Sequence, residues 1–326
     1  VKPFVVVGGA IHPDGLKQLE AEARVLVTDE TTEAGMARVA KEADGILFRI
    51  RPACTRALMA ACPRLKVVGR HGVGLDTVDL KAATELGIAV VHAPGSNSDS
   101  VAEHALMMIL ACAKKAIPID RMTRKADWSP TRWNGNMELH GKTLGIIGVG
   151  NIGRRVARMG GALGMRVIAY DKYVADEEVR KRGAEPMKDM ASVLKQADVV
   201  TCHTPHTPET HHMINAQAVA QMKDGVIFVN TSRGKTQDEN ALLAGLTGGK
   251  IRAAGLDVFE EEPVSSDSRL LGLDNVIVSS HVAGVTPETM RGMAMQVGAE
   301  MLRVLRGEKP QVLGNPDLSP KLSHLK

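Results

Sequence analysis

One pattern constrains the fold more than any other and runs from end to end of the chain. Short runs rich in Val and Ile alternate with segments whose apolar residues fall at helical spacing. In the first part the runs are Phe4–Val7, Val25–Thr28, Gly45–Arg49, Leu65–Arg70 and Ile88–His92, with helical segments such as Thr32–Ala43 and Asp79–Leu86 between them. An apolar run without alternation suits a strand buried on both faces, and strands alternating with helices make parallel sheets that those helices cover. A second series follows at Thr143–Val149, Arg166–Asp171, Asp198–His203, Val226–Ser232, Ile251–Val258 and Asn275–Ser280. It predicts a complete doubly wound sheet. The expected class is therefore α/β, with two doubly wound parallel-sheet domains.

A length of 326 residues also favours two domains. Aromatic residues make up only 2%, so the cores must be built from Val, Ile, Leu, Ala and the 16 Met. A Pro/Gly/Ser/Asn-rich joint at Pro94–Ser100 opens a long helix at about Val101, and a second crossing follows Gly284, before a helix over Pro287–Arg306. These joints predict one domain over residues 1–99 and 288–326, with the other, over 100–287, inserted into it. The irregular stretch Asp127–His140 holds both tryptophans, Trp128 and Trp133, and reads as a loop projecting from the second domain.

A formal charge of +4 is mild. It suits anionic small molecules and is too weak and dispersed for nucleic acid. Cys54, Cys62, Cys112 and Cys202 show neither CxxC nor metal-ligand spacing and read as buried free thiols, so no metal site is expected. The adjacent His211 and His212 read as a solvated pair. Val5–Val7 is too short for a signal peptide, and no stretch of membrane-spanning length lacks a charge. A cytoplasmic protein with no membrane partner is expected.

Gly148-x-Gly150-x-x-Gly153 directly follows the strand Thr143–Ile147 and opens a helix. In that context the first glycine permits a tight turn and the second lets a pyrophosphate approach the backbone. The third lets helix and strand pack closely, and the helix N-terminus faces the phosphates. Asp171 ends the next strand, where a carboxylate accepts both ribose hydroxyls and repels a 2′-phosphate. NAD is therefore favoured over NADP, although Lys172 leaves room for weak NADP use.

Arg233 lies just beyond the strand Val226–Val229, at the end of a parallel sheet where ligands bind, and its guanidinium can fork onto a carboxylate. After another strand come Glu260, Glu261 and Glu262, among which chemistry alone does not choose. His281 follows a further strand and precedes a small-residue turn, a placement that favours acid–base work.

These residues resemble the D-isomer-specific 2-hydroxyacid dehydrogenase family over nearly the whole chain. The likeness is carried by Val68–Asp76, Ser100–Glu103, His140–Gly148, His203–Thr210, Asn230–Gly234, Gly255–Pro263 and Ser280–Gly284. It implies a Rossmann NAD-binding domain inserted into a flavodoxin-like substrate domain, and the interconversion of a D-2-hydroxy acid and its 2-keto acid. It selects Glu262, the glutamate before Pro263. Arg233 would then bind the substrate carboxylate and polarise the adjacent carbonyl. His281 would give a proton to the ketone oxygen as NADH delivers hydride, with Glu262 orienting it and favouring its charged form. The amides around Gly72, Val73 and Gly74 would also hold the carboxylate, and the same loop would touch the nicotinamide in a cleft between the domains. Asp257 would engage the nicotinamide carboxamide. Asn151, Ile152, Thr204, Thr231 and the His281–Gly284 turn, with Ala283 and Gly284, would line the dinucleotide.

Arg49 and Arg51 stand at the end of a first-domain strand, and two guanidiniums suggest a second anionic group on the substrate, such as a phosphate. Phosphohydroxypyruvate or hydroxypyruvate is the expected ketoacid, with glyoxylate or a larger 2-ketoacid as alternatives. The resemblance also implies a homodimer through the Rossmann domain and the Trp128–Trp133 loop. Because the sequence closes at Lys326, a regulatory domain and serine feedback through it are expected to be absent. The other function class is an NADH-sensing, corepressor-like binding protein on the same fold.

Overall fold

In the computed structural model, which describes residues 2–129 and 135–318, the chain divides into two units: Val1–Asn97 with Val285–Lys326, and Ser98–Gly284. The first is built on strands β1 (Phe4–Gly8), β2 (Arg24–Thr28), β3 (Gly45–Phe48), β4 (Val67–Arg70) and β5 (Ala89–Val91). They lie in the order β2-β1-β3-β4-β5, every pair parallel, which is the flavodoxin-like order. Successive residues of one strand feed opposite cores. Val6 packs with Ile46, Phe48 and Val68, whereas Val5 and Val7 pack with Leu47 and Val67. That two-sided burial is why these strands read as unbroken apolar runs.

One face carries α2 (Glu33–Val39), α3 (Arg56–Ala60) and α4 (Leu80–Leu86), started by Thr32, Thr55 and Asp79, whose side chains accept from Gly35, Leu58 and Ala82 amides. The other face carries α1 (Pro13–Glu22) and α12 (Pro287–Leu305), the helix by which the chain returns. Its close approach depends on missing side chains. A Cβ at Gly15 would stand 2.5 Å from Ala294 Cβ, and one at Gly69 would run into Met301 Sδ.

The second unit opens with α5 (Ser98–Ala113) and α6 (Ala116–Arg124). It continues with β6 (Thr143–Ile147), α7 (Gly153–Ala162), β7 (Arg166–Tyr170), α8 (Asp176–Lys181), β8 (Glu185–Pro186), α9 (Met190–Gln196) and β9 (Val199–Cys202). It closes with α10 (Ala216–Gln221), β10 (Val226–Asn230), α11 (Glu239–Thr247), β11 (Ile251–Leu256) and β12 (Val276–Val278). The sheet is parallel throughout, in the order β12-β11-β10-β9-β6-β7-β8, a Rossmann arrangement whose strand order reverses beside β6. It has one strand more than the sequence runs suggest. The extra strand, β8, is a two-residue edge element, Glu185–Pro186, with no β-branched residue to announce it.

All four cysteines are buried and free, and burial pushes the thiols of Cys54, Cys112 and Cys202 up to about 12. Among the described residues no helix is long and apolar enough to cross a membrane. Trp128 is exposed. Trp133 lies outside the described residues, so the loop assigned to the interface is described only in part.

Candidate active site

The three glycines of the fingerprint differ in what surrounds them. Gly148 has a φ of 90°, and a Cβ there would stand 2.9 Å from the His203 carbonyl oxygen; one at Gly153 would overlap the carbonyl oxygen of Gly148. At Gly150 a Cβ would meet nothing within 4 Å. The outer two therefore shape the turn, and the middle one leaves its approach open. Helix α7 starts here with no capping side chain and no acidic residue in its first turn, which leaves its positive end to a ligand. Asp171, one residue past β7, braces the turn by accepting from the amides of Val149 (2.8 Å) and Tyr173 (2.9 Å), and Arg182 donates to the Val149 carbonyl at 2.7 Å. A carboxylate has about four acceptor sites, so these two bonds still leave Asp171 capacity for hydroxyls.

Two buried polar atoms at the ends of neighbouring strands lack a partner among the described residues: His203 Nδ1 after β9 and Thr231 Oγ1 after β10. Burial pushes His203 down to about 3, so its imidazole is neutral, with Nε2 3.0 Å from Thr201 Oγ1. An open glycine, an uncapped helix end and orphaned polar groups at the reversal of strand order fit a dinucleotide. Thr204 is half-buried in the same loop as His203.

The turn that carries Arg233 is folded around Asn230. The Asn230 amide donates to the Arg233 carbonyl (3.1 Å), Thr236 Oγ1 (3.2 Å) and Gln237 Oε1 (2.9 Å), while its oxygen accepts from the Ser232 amide and hydroxyl. Asn230 is fully buried, and every one of these partners lies within seven residues of it. Gly234 then brings the turn against the next loop, because a Cβ there would overlap the Phe259 carbonyl. That close approach sets the guanidinium beside the glutamate loop.

The loop separates its glutamates by partner. Glu260 accepts from the Glu239 amide (2.8 Å) and lies 3.1 Å from His212 Nε2. Glu262 Oε2 lies 2.7 Å from His281 Nδ1, and Glu262 Oε1 accepts from the Phe259 amide at 3.1 Å. Burial alone would push the Glu262 carboxyl up. The His281 hydrogen bond and charge, the Phe259 amide and the Arg233 charge outweigh that and hold it below the usual carboxylate value.

His281 lies in the left-handed region at φ 56°, and its ring is about half exposed. It stands three residues past β12, whereas the sequence run placed it directly after a strand reaching Ser280. Asp257, fully buried, holds this turn. Its carbonyl accepts from the His281 amide (2.8 Å), and its carboxylate accepts from the Val282 (2.9 Å) and Ala283 (3.0 Å) amides and the Ser279 hydroxyl (2.5 Å). Sequence reasoning gave Asp257 a ligand contact and missed this role, as it missed Asn230 and Ser279. Their partners lie in turns that no local pattern announces.

In the first unit, Arg49 and Arg51 line one pocket of about 500 Å³ at the ends of β1, β2 and β3, together with Gly8, Gly9, Asp29 and Glu30. The Gly72–Gly74 loop follows β4. The Val73 carbonyl lies 2.8 Å from His92 Nδ1, and the Gly72 carbonyl accepts from the Ala93 amide at 2.9 Å. Beside it, burial and then the Arg49 charge push His71 down to about 4, so its ring is neutral.

The description "D-isomer specific 2-hydroxyacid dehydrogenase, NAD binding domain" matches residues 106–283. A D-3-phosphoglycerate dehydrogenase of Methanocaldococcus jannaschii is 40% identical over 99% of this chain and 62% of its own length. A glyoxylate reductase of Korarchaeum cryptofilum is 35% identical over 98% of this chain and 97% of its own. The crystal structure of a D-lactate dehydrogenase from Aquifex aeolicus, complexed with NAD and lactic acid, superposes with a TM-score of 0.82 at 32% identity, covering 93% of this chain and 96% of that one. The chain spans about three fifths of the length of the phosphoglycerate dehydrogenase it matches.

Proposed function

The chain belongs to the D-isomer-specific 2-hydroxyacid dehydrogenase family, and on that premise we propose that it interconverts a D-2-hydroxy acid and its 2-keto acid with NAD. The observation that carries this reading is the 2.7 Å contact between Glu262 and His281 Nδ1. An ionised carboxylate only accepts, so Nδ1 bears a hydrogen and Nε2 is the nitrogen left for substrate. When bound, the reduced nicotinamide supplies the hydride. His281 Nε2 donates a proton to the ketone oxygen, and in the reverse direction the neutral ring takes it back. Arg233 binds the substrate carboxylate, a charge-assisted contact worth roughly 1.5–3 kcal/mol, and polarises the adjacent carbonyl.

Gly148, Gly150, Gly153 and the start of α7 would hold the pyrophosphate, with Asp171 on the adenosine ribose. Thr231, Asp257 and the His281–Gly284 turn are assigned to the nicotinamide half. The amides of Gly72–Gly74 are assigned to the substrate carboxylate. Arg49 and Arg51 support a phosphorylated substrate, phosphohydroxypyruvate, and so does the name of the Methanocaldococcus jannaschii relative. An unphosphorylated substrate is the second reading. It is favoured by Asp29 and Glu30, which line the same pocket and oppose a dianion.

The test is NADH oxidation against phosphohydroxypyruvate, hydroxypyruvate, glyoxylate and pyruvate, with Arg49→Ala and Arg51→Ala beside the native chain. A Michaelis constant tens-fold lower for the phosphorylated acid, lost in both variants, is the expected result. Equal constants overturn the phosphate assignment. NADH binding with no reduction of any acid would favour the sensing role. We also assign a second copy of this chain to the exposed apolar side chains Met107, Ile117, Trp128 and Val278, since α6 buries none of its residues. Sedimentation of an active monomer would overturn that assignment.

A further inference from the structure

The turn that presents His281 is gripped from behind by a helix with no part in the mechanism above. We propose that Ser100 and His104 of α5 are positioning residues for the acid–base histidine, an inference that rests on reading His281 as that group. Ser100 Oγ donates to the Ala283 carbonyl at 2.6 Å, and His104 Nε2 lies 2.9 Å from Ser279 Oγ. Four residues apart on a helix, the two side chains project from one face. Ser279 precedes His281 by two residues and Ala283 follows it by two. The helix therefore grips the turn on both sides of the catalytic ring.

The hydrogen-bond inventory fixes the direction of each contact. Ser279 has a single hydroxyl hydrogen, which it gives to Asp257 Oδ1 at 2.5 Å. Its oxygen can then only accept from His104, so His104 carries a hydrogen on Nε2. The chain His104–Ser279–Asp257 ends on the residue whose carbonyl takes the His281 amide and whose carboxylate takes the two amides after it.

The grip is stiff because α5 cannot slide. A Cβ on Gly255 of β11 would stand only 2.8 Å from Met108 Cβ, and Val101, Ala102 and Ala105 bury the inner face of the helix. His281 needs such backing. A residue at φ 56° with its ring half in solvent has little local reason to stay there, and a turn relaxed to an extended conformation would carry the imidazole off Glu262.

Ser100→Ala and His104→Phe, alone and together, test this with kcat, the ketoacid KM, the NADH dissociation constant and the pH profile of reduction. A displacement near 1 Å at a reacting group costs up to roughly a hundredfold in rate. The double variant is expected to lose kcat on that scale while KM and NADH binding stay within about threefold. The acidic limb of reduction is expected to move to higher pH, because Glu262 loses the His281 hydrogen bond and charge that hold its carboxyl down. Ser100→Thr and His104→Gln, which keep a donor, should recover most of the rate, and nitrogen-15 spectra of the native protein should show His104 with its hydrogen on Nε2.

Unchanged kcat, equal loss of NADH binding, failure of the conservative variants to recover, or a hydrogen on Nδ1 would each overturn the proposal. If the double variant does not fold, Ser100→Ala, which removes one oxygen atom, carries the same test alone. His281→Asn is measured in parallel. If it stays active, the acid–base reading itself fails; if it is inactive while the α5 variants are unimpaired, only the positioning role fails.

Discussion

Strand β1 ends at Gly8 and leads through Gly9 to α1; strand β6 leads through Gly148-Val149-Gly150 to α7. Both connections turn on a glycine at positive φ, 83° at Gly9 and 90° at Gly148. They differ in what occupies the helix end. At α1 the side chain of His12 accepts from the Asp14 amide at 3.2 Å, Pro13 has no amide hydrogen to satisfy, and Asp14 places a carboxylate in the first turn. That helix end satisfies itself. At α7 no side chain caps the end, the first turn holds Arg154 and Arg155, and space is open over Gly150. A glycine makes the turn, but the unclaimed helix end makes the anion site.

The largest effect should come from closing that space. Gly150→Val is expected to weaken NADH binding by about a hundredfold or more, read by fluorescence titration, because the side chain fills the phosphates' approach. The unfolding midpoint should barely move, since nothing stands within 4 Å of the new Cβ. Undiminished binding would erase the contrast between the two turns.

Asp171→Ala should loosen NADH about tenfold and narrow the preference over NADPH. It should also cost about 1 kcal/mol in urea unfolding, because the Val149 and Tyr173 amides lose their acceptor. In the first unit the mirror experiment reverses the readouts. His12→Ala is expected to lower unfolding stability by about 0.5–1 kcal/mol, the cost of a lost cap, and to leave NADH binding unchanged.

The smallest effect belongs to Asp14. Its hydrogen bond with Arg291 holds the carboxyl below its ordinary value of 3.8 against an opposing desolvation, and the charges of Arg291, His12 and Lys17 add smaller pulls downward. Stability gained that way is fully present above pH 3.8 and is lost as pH falls through the lower folded value. The difference in urea midpoint between native protein and Asp14→Asn should be visible at pH 7 and close toward pH 3. A gap that persists in acid would show that charge at this helix end is not what Asp14 contributes.

Most of the architecture was legible because buried parallel strands advertise themselves. The runs Val25–Thr28, Gly45–Arg49 and Asn275–Ser280 meet β2, β3 and β12 to within two residues at each end. Helix α6 was not foreseen: Pro118 in its first turns reads as a break in a helix, and none of its residues is buried. Glu262 could not be chosen by chemistry among three neighbouring glutamates. What distinguishes it is that alternate side chains of a tight loop face different partners, His212 for Glu260 and His281 for Glu262. Ser100 and His104 were invisible as site residues for a simpler reason: their partners stand 183 and 175 residues away, and only the folded sheet brings them together.

Helix α12 gives the chain an order of assembly during synthesis. Its Met293, Val297, Met301 and Leu302 complete the core that Val5, Val7 and Val67 begin. The whole of Ser98–Gly284 is translated between those two sets of residues. A ribosome therefore releases the second unit with its sequence complete while one face of the first sheet is covered by α1 alone. The unit begun first is finished last, and a nascent chain stalled before Pro287 presents the apolar surface that α1 leaves uncovered to any chaperone or neighbouring chain.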